Sequence, residues 1–182
     1  MKAKTIVRFV ARALPVGALF LPLGTITIKF LVEKATPYNI AGFIKMLFED
    51  GNELFFNMLT SEIMDSARPW MYVAAAGLAA GVLAALAGLA LAYWDSIKAL
   101  AISAWAYAGG VLGAAAMAVG FTIFGTTMAG ALMNIASTSV NYGTYILLGL
   151  LLCNLIHSLI QRRDAREAAR RAALAAKKRK RR

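Results

Sequence analysis

Residues 70–124 read WMYVAAAGLAAGVLAALAGLALAYWDSIKALAISAWAYAGGVLGAAAMAVGFTIF, and no other part of the chain constrains the fold as strongly. The stretch holds two uncharged runs, Trp70–Trp94 and Ala99–Phe124, of 25 and 26 residues. Only Asp95–Lys98 separates them. A helix needs about 20 apolar residues to cross a hydrocarbon core of roughly 30 Å. Residues 70–124 therefore predict a transmembrane helical hairpin with a tight turn.

Two further spans flank this hairpin. Residues 144–161 are rich in leucine and predict a last transmembrane helix. Residues 1–24 predict a first one, although the apolar stretch Ala13–Ile28 has only 16 residues and contains Pro15 and Pro22. The sequence thus favours four membrane spans, of which the first is the least regular.

The first span reaches the required length if its helix begins near Thr5. Arg8 and Arg12 would then extend their charged ends to the lipid headgroups while their stems stay in the apolar layer. A cleaved secretory signal peptide is the alternative interpretation of this segment. No convincing small-x-small cleavage pattern precedes the acidic segment that follows, so we expect a retained helix.

The whole chain has 182 residues, of which 60% are apolar and 16% charged, with a net charge of +11. A soluble domain usually has about 25% charged residues, which argues against an ordinary soluble enzyme. Segment charges are +5 for 1–32, −3 for 33–69, zero for 70–161 and +9 for 162–182. Basic segments stay on the cytoplasmic side of a membrane. We therefore expect a multi-pass protein of the cytoplasmic membrane with both termini in the cytoplasm.

The outer face is then formed by an outer segment, 25–69, and a second outer loop, 125–143. Thr25–Val32 alternates β-branched and other residues, which predicts a short strand. Apolar residues at helical spacing over 39–50 and 53–66 predict two short amphipathic helices. These helices either pack on the transmembrane helices or provide a surface for a partner.

Small residues are placed where the hairpin helices would cross. The predicted packing positions are Gly77 and Gly81 in one span and Gly109 and Gly113 in the next. Small residues allow two helix backbones to approach closely in lipid. Since the two spans are adjacent and antiparallel, we expect these glycines to pack the hairpin; a homo-oligomer interface is the alternative.

A basic tail, 162–182, follows the last span without an intervening glycine or proline, which predicts one continuous helix leaving the membrane. Anionic lipid headgroups are the favoured partner. An acidic protein and a nucleic acid are alternatives, although the tail has no aromatic residue for base stacking. The predicted contact residues are Arg162, Arg163, Arg166, Arg170, Arg171, Lys177, Lys178, Arg179 and Lys180.

Few polar side chains lie within the predicted spans. Asn154 and His157 share a helix face and are the one candidate polar site, and an interfacial histidine is the simpler interpretation. A single histidine and a single cysteine cannot form the usual metal sites. No nucleotide-binding, hydrolase or metalloprotease motif occurs. We therefore predict no catalytic residue, no metal and no cofactor.

The order of elements resembles a loose group of small bacterial four-span membrane proteins of unassigned function. The residues that carry the resemblance are Leu19–Pro22 followed by Thr25–Ile28, then Tyr38–Phe43, then Tyr142–Tyr145. The layout is also similar to that of claudin-like tetraspans. The claudin tryptophan and its paired outer cysteines are missing, so this resemblance implies architecture alone.

These observations predict an all-α membrane protein: a four-transmembrane-helix bundle with a short extended and amphipathic outer segment and a basic C-terminal helix. The predicted function is that of a non-enzymatic accessory or scaffold protein, with partner contacts through the outer segment and lipid contacts through the tail. An oligomeric channel or small transporter is the first alternative. Contact with nucleic acid or a ribosome through the tail is the second.

Overall fold

A computed structural model describes residues 3–29, 33–48, 61–94, 96–131 and 136–180. Helices make up 83% of it. The helices are α1 (Ala3–Ala18), α2 (Ile40–Phe48), α3 (Ser61–Ala90), α4 (Ile97–Ala131) and α5 (Tyr142–Lys180). A 3₁₀ turn, Leu91–Tyr93, follows α3, and the strands are β1 (Gly24–Lys29), β2 (Glu33–Tyr38) and β3 (Ala136–Val140).

Three helices of the described part are long and apolar enough to cross a membrane. They correspond to Asp65–Ala90, Ile97–Gly130 and Tyr142–Lys177. The prediction of a mainly helical chain is confirmed, and three of the four predicted spans correspond to helices that could cross a membrane. Helix α1 is shorter, with 16 residues and Pro15 inside it, and it packs against both α3 and α5.

A small antiparallel sheet joins the two predicted outer segments, so the expectation of an all-α protein was incomplete. The strand order is β2-β1-β3, with Thr27 opposite Ala35 on one side and Ser137 on the other. The strand predicted over Thr25–Val32 is present as β1, and residues 30–32 lie outside the described part. We call this side of the molecule the sheet end.

Hydrogen bonds from side chains and backbone connect the segment after α1 to the start of α5 at the sheet end. The hydroxyl of Thr144 donates to the carbonyl of Leu23 at 2.7 Å. The amide of Asn141 donates to the Thr25 hydroxyl at 2.6 Å, and the Gly143 N–H donates to the Pro22 carbonyl at 3.1 Å. These bonds hold α1 and α5 side by side and antiparallel.

Several predicted boundaries shift in the structure. Helix α2 occupies the first predicted amphipathic helix, whereas residues 49–60, including most of the second, lie outside the described part. Helix α4 continues to Ala131, past the predicted start of the second outer loop at residue 125. The hydroxyls of Thr122 and Thr126 bond to carbonyls of the preceding turn, at 2.8 and 3.0 Å, so these residues are accommodated in the helix.

The hairpin helices α3 and α4 cross at glycines. A Cβ on Gly77 would collide with the Gly113 carbonyl, and one on Gly113 would stand 2.6 Å from the Ala80 Cβ. A Cβ on Gly81 would lie 3.8 Å from Leu147 of α5, while the backbone of Gly81 lies beside Gly113 at the crossing. Gly109 is exposed, with nothing described within 4 Å of an added Cβ, while its neighbour Gly110 is buried against Ala84. The contact face of α4 thus includes residues 110 and 113, because one residue step rotates a helical position by about 100°.

Candidate functional site at the basic end of the bundle

The end of the bundle opposite the sheet collects polar and basic side chains. We call it the basic end; it includes the first half of α1, the turn between α3 and α4, and α5 from residue 154 onward. The antiparallel pairing of α1 with α5 brings Ala11 next to Asn154. Asn154 lies 12 residues, or about 18 Å, along α5 from the sheet end.

Arg12 is buried between α1, α3 and α4, with 1% of its surface exposed. Its Nη1 donates to the carbonyl of Gly88 at 3.5 Å. Its Nε and Nη2 have no hydrogen-bond partner among the described residues. The prediction that Arg12 extends to the headgroups is therefore wrong.

Gly88 provides the space for this arrangement. A Cβ on Gly88 would collide with the Tyr107 hydroxyl of α4, so only glycine allows the tyrosine ring this close to α3. Tyr107 is fully buried, and its hydroxyl has no described partner. Three helices therefore meet around a buried cation: α1 at Arg12, α3 at Gly88 and α4 at Tyr107.

Asn154 connects α1 to α5. It is 6% exposed, and its amide donates to the Ala11 carbonyl at 3.2 Å and to the Leu150 carbonyl at 2.9 Å. Both amide hydrogens can thus be used on backbone carbonyls, one of them in the neighbouring helix. This geometry gives Asn154 a structural role in helix packing.

His157 lies one turn further along α5 and is exposed. The amide Nε2 of Gln161 donates to the Nε2 of His157 at 2.7 Å, which requires the tautomer of His157 that carries its proton on Nδ1. Asn154 and His157 share a helix face as predicted, but Asn154 faces α1 while His157 bonds within α5. Each side chain thus has a hydrogen-bond partner of its own, although both line the same groove.

A groove of 670 Å³ runs between α1 and α5 beside these residues. Leu14 and Leu150 line it toward the sheet end, and both apolar Val7 and polar side chains line it toward the basic end. The only cysteine of the chain, Cys153, is exposed and lines it. The lining residues are Val7, Arg8, Ala11, Leu14, Leu150, Cys153, Asn154, His157 and Gln161.

A buried serine pair links α4 and α5 near the same level. The Ser103 hydroxyl is 3.0 Å from the Leu100 carbonyl and 3.4 Å from the Ser158 hydroxyl. Sequence reasoning missed this pair, as it missed the burial of Arg12. The available signal was that Ser103 and Ser158 each lie in an otherwise apolar part of a predicted span, where a polar side chain needs a partner.

The basic extension of α5 leaves the bundle as one continuous helix to Lys180, which confirms the predicted helix up to that residue. Arg163 and Arg171 both approach Glu167, at 3.1 and 3.9 Å. Exposed pairs of this kind contribute little stability. Arg163, Arg166, Arg170, Arg171 and Lys177 are exposed, Arg162 is partly exposed, and the side chains of Lys178, Arg179 and Lys180 lie outside the described part.

Among the described residues, no group of three His, Cys, Asp or Glu side chains is placed to hold a metal ion. Comparison with protein-family models, curated proteins and solved structures finds no match to this chain. A role is therefore assigned from three features of the structure: the groove between α1 and α5, the buried arginine on α1 and the basic extension of α5.

Proposed function

We propose that α1 is a fourth membrane span and that both termini lie in the cytoplasm. Helix α1 rises about 24 Å, and Leu19–Leu23 continue the chain to the sheet end, which approaches the roughly 30 Å of a hydrocarbon core. Three observations support a retained helix and not a cleaved signal peptide. Helix α1 packs against α3 and α5, its backbone accepts a hydrogen bond from Asn154, and its Arg12 is buried.

The charge distribution supports this orientation. Four of the five bases in the first 32 residues precede residue 13, the fifth being Lys29 in β1, and the last 21 residues carry +9. The fold places the start of α1 and the basic part of α5 away from the sheet. The positive-inside rule then assigns the basic end to the cytoplasm and the sheet to the outer face.

Single cysteines in a Cys153→Ser background test this topology in intact cells. A membrane-impermeant maleimide should label Ser139→Cys on the sheet, whereas Lys4→Cys and Ala176→Cys should require permeabilisation. Labelling of Lys4→Cys from outside would mean that α1 does not cross the membrane. Labelling of Ala176→Cys from outside would reverse the orientation.

The function that this arrangement supports best is that of a non-enzymatic accessory or scaffold protein whose basic helix binds anionic lipid headgroups. The observation that carries the proposal is the continuous helix from Tyr142 to Lys180, which leads directly from an apolar span into a row of exposed bases. Each base near an anionic surface is worth about 1 kcal/mol. The outer sheet would provide the contact surface for a protein partner.

Neutralising three distal bases tests the lipid contact. In the triple variant Arg170→Gln, Arg171→Gln, Lys177→Gln, binding of anionic lipid should weaken by less than about 3 kcal/mol at about 0.01 M salt, since each base near the surface is worth about 1 kcal/mol. These bases stand about 14 to 24 Å beyond Gln161 along α5, within the Debye length of about 30 Å at that salt concentration. The measurement is the association of spin-labelled phosphatidylglycerol, relative to phosphatidylcholine, with the reconstituted full chain. The wild-type preference should also fall as salt is raised.

A matched control keeps the charge and the number of substitutions: Ala172→Gln, Ala173→Gln, Ala176→Gln. These alanines are exposed on the same stretch of helix. The control should retain the wild-type lipid preference. An unchanged preference in the charge-neutralised variant would overturn the lipid assignment, and loss of RNA binding in that variant would then favour the nucleic-acid alternative.

A further inference from the structure

Pro15 lies inside α1 and is fully buried in the bundle. Proline has no backbone N–H, so the residue four positions before it loses the hydrogen bond that its carbonyl accepts in a regular helix. The proline ring also crowds that carbonyl, which bends the helix away from it. In α1 the affected carbonyl belongs to Ala11. Since a carbonyl without a donor is costly to bury in an apolar bundle, Ala11 needs a donor from outside α1.

Asn154 of α5 provides that donor. Its side-chain amide donates to the Ala11 carbonyl at 3.2 Å and to the Leu150 carbonyl at 2.9 Å. Asn154 is 6% exposed, so this contact lies within the bundle, one turn before the proline. A proline in one predicted span and an asparagine in another thus form one structural unit: the first frees a carbonyl, and the second bonds to it.

The two halves of α1 on either side of this unit are held differently. At the end that follows the proline, Ala18 and Leu19 are each 3% exposed, and the Leu19 carbonyl accepts the N–H of Ile40 at 3.2 Å. Before the unit, three large apolar side chains are between 49% and 68% exposed, namely Ile6, Val7 and Val10. The second half is therefore fixed in the core and at the sheet end, whereas the first half packs less deeply.

We propose that α1 has a hinge at Ala11–Pro15 and that the hydrogen bond from Asn154 is a latch, which holds the first half, Ala3–Val10, against α5. Opening of the latch would widen the groove between α1 and α5 at the basic end, because Val7 and Arg8 belong to the first half and line the groove. The sheet end would stay in place, since the second half of α1 is fixed there. This device depends on the contacts of the described helices and not on the orientation or the lipid binding proposed above.

A double-mutant cycle between Pro15→Ala and Asn154→Leu tests whether the proline and the asparagine act together. In the Pro15→Ala background a backbone N–H is available to the Ala11 carbonyl within α1, so the bond from Asn154 is no longer needed. Asn154→Leu should therefore raise the equilibrium constant of unfolding about fivefold more in the wild type than in that background, the effect of one typical hydrogen bond. The measurement is reversible unfolding of the full chain by sodium dodecyl sulfate in mixed micelles. Equal effects in the two backgrounds would overturn the proposal.

Ser158→Ala is the matched control, one turn further along α5. Ser158 is also buried, but its hydroxyl lies 3.4 Å from the Ser103 hydroxyl of α4 and not against α1. Its effect on unfolding should be the same with and without Pro15→Ala. A dependence on Pro15→Ala as large as that of Asn154→Leu would mean that the proline affects the whole bundle, which would overturn its specific link to Asn154.

Distances between pairs of nitroxide labels test the hinge in a Cys153→Ser background of the reconstituted chain. The pair Ile6→Cys, Leu159→Cys reports on the first half of α1, and the pair Gly17→Cys, Gly149→Cys reports on the second. All four positions are exposed. Ile6 lies about 14 Å along α1 from Pro15, so an additional bend of about 20° would move it by about 5 Å. Adding Asn154→Leu should lengthen or broaden the first distance by about this amount and leave the second unchanged.

The same distances in the Pro15→Ala background complete the test. There Asn154→Leu should change neither distance, because a continuous helix moves as one body. Equal changes in both distances of the original background would overturn the hinge, and no change in either would overturn the latch. Neutralising Arg170, Arg171 and Lys177 should alter neither distance, so a failure of this proposal is distinct from a failure of the lipid contact proposed for the basic helix.

Discussion

Gly113→Leu is expected to lower the free energy of unfolding by about 3 kcal/mol, at the upper end of the usual cost of overpacking. An added Cβ at Gly113 would stand 2.6 Å from the Ala80 Cβ, 2.7 Å from the Gly77 carbonyl and 3.3 Å from the Gly81 amide nitrogen. Two of these three neighbours are backbone atoms of α3, which cannot rotate away as a side chain can. The helices must separate along the crossing, and close backbone packing is what associates helices in lipid.

Gly109→Leu is the matched control on the same helix, one turn away. Gly109 is exposed and has no described atom within 4 Å of an added Cβ, so the larger side chain has room. Leucine also has a higher helix propensity than glycine, by somewhat less than about 1 kcal/mol. We therefore expect this variant to be as stable as the wild type or slightly more stable.

Reversible unfolding by sodium dodecyl sulfate in mixed micelles, followed by tryptophan fluorescence, measures both effects. Gly77→Leu should behave like Gly113→Leu, because its added atoms would meet the backbone of Gly113 and Met117. Equal losses for Gly109→Leu and Gly113→Leu would contradict the crossing described here. A loss confined to Gly109→Leu would show that the opposite face of α4 is the packed one.

Local patterns in the sequence were sufficient to predict the helices but not how they meet. Uncharged runs longer than a bilayer requires predict α3 and α4, and the absence of glycine and proline after residue 161 predicts the continuous α5. The choice between Gly109 and Gly110 depends on the rotation of α4 about its axis. That rotation is set by packing against two other helices, which the spacing of glycines in one span does not encode.

The sheet shows a second limit of prediction from local sequence patterns. The β-branched alternation of Thr25–Val32 predicts a strand, but strand β3 is built from Ala136–Val140, which local propensity describes only as extended or looped. Its pairing with β1 joins residues more than 100 positions apart, as Asn141 and Thr25 show. Such a contact depends on the bundle bringing the two chain segments to one end.

The burial of Arg12 likewise depends on three helices at once. From sequence, an arginine near the start of a span is expected to reach the headgroups, and in isolation α1 would allow that. In the folded chain the guanidinium of Arg12 bonds to the Gly88 carbonyl beside Tyr107 and stays below the surface. The same packing thus provides both the candidate site and the reason that sequence reasoning missed it.

Arg12→Met is expected to raise the free energy of unfolding in detergent by about 1–4 kcal/mol, the gain seen when buried ionic groups are replaced by apolar ones of similar volume. The described residues give Arg12 one hydrogen bond, at 3.5 Å to a carbonyl, which offsets little of the cost of removing a cation from water. Methionine has a similar unbranched length and adapts to irregular space. Arg12→Ala, the control, removes the charge but leaves a cavity, and should be about 2 kcal/mol or more less stable than Arg12→Met.

Two outcomes would contradict this expectation. A methionine variant less stable than the wild type in detergent would show that Arg12 is satisfied by the protein itself. Equal stabilities of Arg12→Met and Arg12→Ala would show that the side chain at this position does not fill buried space, against the 1% exposure of Arg12 in the structure.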